Sequence, residues 1–107
     1  MADLDLCYRS AIDLAAAIRA KTISPVEVVE NSLARIAAVN PALNAFCFVF
    51  AEEALDKARA AEAAVMAGDA LGPLHGVPIA FKDMTPTKGK RTPLRPYAFQ
   101  NWVPDYD

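Results

Sequence analysis

Hydrophobic positions in the first forty residues repeat at helical spacing. The stretch after Ser10 has one apolar face, and Ser24 begins a second amphipathic stretch, with a proline next and a glutamate in the third helical position. Asn40 precedes a proline, which disfavours helical geometry in the residue before it. The pattern therefore predicts helices at about 11–20 and 25–39.

Two apolar stretches without helical spacing flank an alanine-rich segment. The segment predicts a helix at about 51–67 that ends at Gly68, and the flanking stretches predict strands at about 45–50 and 77–82. Strand, helix and strand in this order favour a right-handed βαβ crossover with parallel strands. Because Pro78 cannot donate to the ladder, we expect it among the first paired residues of the second strand or on an edge strand. The expected fold class is α/β, with N-terminal helices followed by a βαβ-like unit.

The chain after Asp83 contains four prolines and no clear periodicity, so residues 84–107 are expected to be irregular. The basic side chains there favour a solvated loop over an anion or nucleic-acid contact, because no aromatic residues are interleaved with them. These side chains are Lys88, Lys90, Arg91 and Arg95. Three aromatic side chains are expected to pack against a core that this chain lacks, with an exposed aromatic patch as the alternative: Tyr97, Phe99 and Trp102.

Composition narrows the class of protein. A length of 107 residues suits one domain, and the hydrophobic share of 54% exceeds the usual ~45–50%, which leaves apolar surface for self-association or a partner. The net charge of −2 argues against a nucleic-acid or membrane-surface protein. Without a secretory signal or a long apolar run, the expected location is the cytoplasm. Cys7 and Cys47 are expected to be buried thiols, with no disulfide, metal or cofactor.

Lys82 stands where the second predicted strand ends. Ligands gather outside the carboxyl ends of parallel strands, and burial penalises a charged amine. A neutral amine can accept a proton from a hydroxyl nucleophile or attack a carbonyl to form a Schiff base. The simpler interpretation is a solvated lysine that ends the strand. His75, the only histidine, lies in a turn before the strand and is expected to have a structural or substrate-edge role.

The residues around Lys82 resemble the lysine motif of the amidase signature family. In that family a G-x-P-x-x-x-K-D run carries the catalytic lysine, and Gly76, Pro78, Lys82 and Asp83 match it in order. The chain is similar to the family over most of residues 8–92. This resemblance implies the mixed-sheet amidase signature fold, incomplete here, with the whole chain forming the N-terminal portion of an amidase domain.

The resemblance also implies a Ser–cis-Ser–Lys mechanism that hydrolyses the C–N bond of a small-molecule carboxamide, with Lys82 as the catalytic general base. The serines present do not fit the family's other two positions, because none lies in a glycine-rich stretch; they are Ser10, Ser24 and Ser32. The family's serines and oxyanion loop lie downstream. We therefore expect a leading fragment of a hydrolase that is inactive alone.

A second departure from the family follows Lys90. Relatives usually continue with a T-T-x-G-S-like run, whereas this chain has prolines at positions 93 and 96. The competing hypothesis, from another class of function, is a non-catalytic helical binding or assembly module. In that case the amphipathic helices would pair with a second copy or another chain.

Overall fold

The computed structural model describes residues 2–82, 85, 87–90 and 103–106. Within these residues the secondary structure is helical. The first helix, α1, spans Leu4–Cys7, and α2 spans Ala11–Arg19. The two longer helices are α3, Pro25–Leu43, and α4, Ala51–Met66.

Side-chain caps explain where α2 and α3 begin. The hydroxyl of Ser10 accepts a hydrogen bond from the Asp13 amide at 3.1 Å. At the start of α3, the Ser24 hydroxyl accepts from the Glu27 amide at 3.0 Å, while the Glu27 carboxylate accepts from the Ser24 amide at 2.8 Å. This reciprocal capping box satisfies two of the amides that a helix start leaves without intrahelical partners. Both helices therefore begin where the sequence pattern places them.

Helix α3 runs one turn further than its predicted end at residue 39. Pro41 lies inside the helix, which ends at Asn44 in a left-handed conformation with φ +49°. The Asn40 side chain donates to the Phe46 carbonyl at 3.1 Å and accepts from the Phe46 amide at 2.9 Å. These two hydrogen bonds fold the next segment back onto the helix end. Because Pro41 removes only one backbone donor near that end, the helix continues through it.

The predicted βαβ unit is absent from the described residues. Residues 45–50 and 77–82 contain no strand, and no backbone hydrogen bond joins the two segments. An extended segment becomes a strand only when a neighbouring backbone supplies the ladder partners, and neither segment has such a neighbour among the described residues. The expectation of an α/β unit is therefore wrong for this part of the chain. Most of the predicted irregular segment, 84–107, lies outside the described residues.

The core forms where α2, α3 and α4 meet, and α3 packs along α4. Its buried centre consists of Ile18, Val28 and Val65. Partly buried side chains surround that centre, including Leu71 and Val77 from the segment after α4; the others are Leu14 and Ile23. The segment that leads to Lys82 thus begins on the helical core.

The short α1 is attached to α3 through one amide side chain. Asn31 accepts from the Asp3 amide and donates to the Asp3 carbonyl at 3.1 Å. Its amide nitrogen also lies 3.2 Å from the Cys7 sulfur. Cys7 is partly buried, whereas Cys47 is exposed, so the expected burial of Cys47 is wrong. The two cysteines form no disulfide.

Candidate functional site

The turn at residues 72–77 precedes Lys82 and is fixed to the helices by polar contacts. Within the turn, the His75 amide donates to the Gly72 carbonyl at 3.3 Å, and the Val77 amide donates to the Leu74 carbonyl at 3.1 Å. From α2, the Arg19 guanidinium donates to the Gly72 carbonyl at 2.7 Å. These contacts fix the position of the turn, and therefore the point at which the residues leading to Lys82 begin.

His75 attaches the same turn to α4. Its ring nitrogen Nε2 lies 2.9 Å from the carbonyl oxygen of Ala61, and because a carbonyl only accepts, the ring N–H is the donor. The imidazole is partly buried. The described residues contain no group of three or more histidine, cysteine, aspartate or glutamate side chains that could hold a metal ion. His75 therefore acts in this structure as a side chain that holds the turn.

Gly76 allows the turn to approach the core closely. Its φ is +82°, a conformation that glycine adopts without strain. A Cβ atom at this position would lie 2.9 Å from Pro25 Cγ and 3.0 Å from Ile18 Cδ1. The glycine of the G-x-P-x-x-x-K-D run thus has two physical reasons to be glycine: its backbone conformation and the space available.

Lys82 follows five residues after Val77, on chain that leaves the core. Ile79 is 76% exposed and Phe81 61% exposed, and Lys82 is exposed as well. The Lys82 carbonyl accepts a hydrogen bond from the Thr85 amide at 2.9 Å. The described residues do not provide the burial that would keep the Lys82 amine neutral. Asp83, the last residue of the matched run, lies outside the described residues.

The serines of the chain have local roles in helices. Ser10 and Ser24 cap α2 and α3, and the Ser32 hydroxyl donates to the Val28 carbonyl one turn earlier at 3.0 Å. No hydrogen bond among the described residues joins any of them to Lys82. The candidate site therefore contains the lysine, its turn and the contacts that hold the turn.

A second set of contacts, which the sequence interpretation missed, fixes the chain after Lys82. The Lys90 ammonium forms an ion pair with Glu53 in the first turn of α4 and lies 4.9 Å from the centroid of the Phe50 ring. Glu53 also pairs with Lys57 at 3.1 Å, one helical turn further along. The hydrogen bond from Lys90, then that from Lys57, holds the pKa of the Glu53 carboxyl below its usual value.

The expectation of a solvated basic loop is wrong for Lys90, because its ammonium group pairs with a carboxylate. The segment that carries it has a backbone contact as well, since the Gly89 amide donates to the Pro104 carbonyl at 2.9 Å. The sequence pattern offers little indication of this ion pair, because Lys90 and Glu53 are 37 positions apart. Arg91 and Arg95, from the same basic cluster, lie outside the described residues.

Comparison with known proteins identifies the family. The sequence model of the family described as Amidase matches residues 27–107. The chain belongs to the amidase signature family. The match includes Lys82 and the turn before it, α3 nearly from its start, and α4 throughout.

Curated relatives of this amidase-family chain include the A subunits of glutamyl-tRNA(Gln) amidotransferase from three bacteria. That of Acidothermus cellulolyticus is 48% identical over 103 residues, which cover 96% of this chain and 20% of the relative. That of Nocardia farcinica is 44% identical over 96% of this chain and 21% of the relative. That of Geobacter metallireducens is 46% identical over 84% and 18%. The chain thus spans about a fifth of their length. No solved structure matches it significantly.

Two further properties of the described residues are relevant to function. None of their helices combines the length and apolar character needed to cross a lipid bilayer. Several large apolar side chains are exposed beside the candidate site, among them Leu74, Ile79 and Phe81. Part of the high hydrophobic share of the sequence is therefore accounted for by apolar side chains that are exposed near Lys82.

Proposed function

We propose that this chain is the lysine-bearing part of an amidase signature hydrolase that cleaves the C–N bond of a carboxamide, with Lys82 as the general base. The observation that carries the proposal is the ordered run from Gly76 to Asp83 within a chain of this family. The contacts of Gly76 with the core support it, because they explain why the first residue of the run is a glycine.

The proposed chemistry divides the catalytic groups between this chain and the remainder of the enzyme. A neutral Lys82 amine accepts a proton through a bridging serine while a second serine attacks the carboxamide carbon. Because the three serines of this chain cap or brace helices, both hydroxyls and the oxyanion donors come from other residues. The exposed Ile79 and Phe81 favour the same division, since packing against additional protein would remove water from the lysine.

The curated relatives suggest a more specific activity. Identities of 44–48% to the A subunits of two of these amidotransferases favour a complete enzyme that works as one component of a glutamyl-tRNA(Gln) amidotransferase. We propose that this part of the component serves the amide-cleaving step and makes no contact with tRNA. The net charge of −2 supports this division, and within the basic cluster the Lys90 ammonium already pairs with Glu53.

A chimeric enzyme tests the proposal. The matching segment of the Acidothermus cellulolyticus relative is replaced with this chain, and ammonia release from primary carboxamides is measured. A second chimera receives residues 1–90 only, so that the relative's own sequence follows Lys90. We expect at least the second chimera to be active, and a relative that lacks the segment to be inactive. Two folded chimeras that both lack activity would overturn the proposal.

The exposed apolar side chains also favour a second candidate function, that of an assembly module. In this case residues 77–81 bind a second copy of the chain through Ile79 and Phe81. Sedimentation of the purified chain separates the two candidates. A compact, monodisperse oligomer that dissociates on Ile79→Asp substitution would favour the module, whereas a monomer would favour the amidase segment.

A further inference from the structure

We propose that α4 holds the Lys82 segment at two points, and that His75 and Glu53 are positioning residues for the lysine. The inference rests on the proposed role of Lys82 and adds the residues that determine where its amine lies. The Lys82 segment comprises residues 75–90: His75, at one end, contacts Ala61 on α4, and Glu53 on α4 contacts Lys90 at the other end.

The first point of attachment lies before the lysine. His75 donates to the Ala61 carbonyl on α4, and Gly76 lies against Pro25 at the start of α3. The Arg19 hydrogen bond to Gly72 adds a third contact from α2. Three helices therefore contact the turn, and together they fix the position from which the following residues continue toward Lys82.

The second point lies after the lysine. The Lys90 ammonium is held by the Glu53 carboxylate and by the face of the Phe50 ring, an ion pair combined with a cation–π contact. The Lys90 side chain is only 27% exposed. Partial burial of the ammonium reduces screening of the pair by solvent.

The spacing of the two points relates them to the lysine. Lys82 lies seven residues after His75 and eight before Lys90, near the middle of the intervening chain. Ala61 and Glu53 are eight residues apart on one helix, which corresponds to about 12 Å along its axis. The chain between the two points could reach about 50 Å if fully extended. The chain between the two points is therefore much longer than their separation along α4, and Lys82 lies near its middle in sequence.

Fixing both ends of this chain reduces the number of positions that the Lys82 amine can occupy relative to its proton donor. A general base needs to lie within hydrogen-bond reach of the proton that it accepts. The two contacts on α4 would restrict the position of Lys82 even before other parts of the protein pack against it. Their loss should loosen the lysine segment and leave the helical core folded.

Backbone ¹⁵N NMR of the 107-residue chain tests the inference. The measured quantity is the heteronuclear NOE of the amides in residues 77–82 and 87–90. We expect His75→Phe, which keeps a ring but removes the donor, to lower the NOE in 77–82. His75→Gln, whose amide can still donate to Ala61, should restore at least half of the loss. Such a rescue would not be expected if only the size of the side chain mattered.

Glu53→Gln tests the second point, and Glu52→Gln is its matched control, because Glu52 lies in the same helical turn and the ion pair is made by Glu53. We expect Glu53→Gln to lower the NOE in 87–90 and at Lys82, and Glu52→Gln to leave both unchanged. The order should also depend on pH. Because the Glu53 pKa is held below its usual 4.5, the ion pair persists at neutral pH and is lost as the pH falls through the lowered pKa.

Unchanged NOE values at Lys82 in both His75→Phe and Glu53→Gln would overturn the inference. The same holds if His75→Phe lowers the midpoint of urea unfolding without changing the order of residues 77–82, since the residue would then serve stability alone. Neither measurement depends on amide hydrolysis. An inactive chimera would therefore reject the proposed function and leave the two attachments standing, while unchanged NOE values would reject the attachments only.

Discussion

Gly76 lies where the turn before Lys82 meets the helical core, so Gly76→Ala perturbs the attachment of the lysine segment directly. The added Cβ would lie 2.9 Å from Pro25 Cγ, 3.0 Å from Ile18 Cδ1 and 3.2 Å from Pro25 Cβ. Pro25 and Ile18 are fully buried. Pro25 Cγ belongs to a rigid ring, and the terminal methyl of Ile18 is enclosed in the core, so relief of the clash requires movement of the turn itself.

The expected cost has two parts. A non-glycine residue in a left-handed conformation costs about 1–2 kcal/mol, and the φ of Gly76 is +82°. Overpacking of a filled core costs about 1–3 kcal/mol. Together they lower the free energy of unfolding by about 2–5 kcal/mol. For a domain of this size, this corresponds to a decrease in Tm of at least about 8 °C.

Gly68→Ala is the matched control, because the φ of Gly68 is +74° but nothing lies within 4 Å of its added Cβ. It should cost only the conformational part, about 1–2 kcal/mol. Urea and thermal unfolding of both variants, followed by far-ultraviolet circular dichroism, give the two values. The reasoning is refuted if Gly76→Ala destabilises the chain no more than Gly68→Ala does.

Two further pairs of substitutions, each a test with its control, probe the helical framework. Ser24→Ala should lower the free energy of unfolding by about 1 kcal/mol through loss of the capping box, whereas Ser32→Ala, which removes only a hydroxyl bond to the preceding turn, should change it little in urea titrations. Ile18→Ala should cost about 2–5 kcal/mol because Ile18 is 1% exposed, and equal effects of Ile18→Ala and Ile12→Ala, at a position 77% exposed, would contradict the assigned core.

The features that the sequence predicted well are local. The starts of α2 and α3 follow from a serine and the backbone amide three residues later, and no distant contact is needed to form them. The end of α3 was placed too early, because the rule about residues before a proline does not account for the bonds between Asn40 and Phe46. A local preference was overridden there by contacts just beyond the helix.

The features that the sequence did not predict depend on partners far along the chain. Strands at 45–50 and 77–82 need ladder partners, and an apolar run cannot reveal whether a neighbouring backbone is present. The ion pair of Lys90 with Glu53 joins residues 37 positions apart. At the candidate site, the motif around Lys82 identified the family, but the motif alone could not show that His75 contacts Ala61.

The activity of a lysine variant tests the central claim most directly. In an active chimera that contains this chain, kcat for carboxamide cleavage is compared between Lys82→Met and Lys21→Met. Lys21 is an exposed lysine in the turn after α2 and serves as the control for removal of one positive charge. We predict that Lys82→Met lowers kcat by about 10²–10⁴-fold, the usual contribution of general acid–base catalysis, with Lys21→Met close to the parent. Equal kcat values for the two variants would contradict the account.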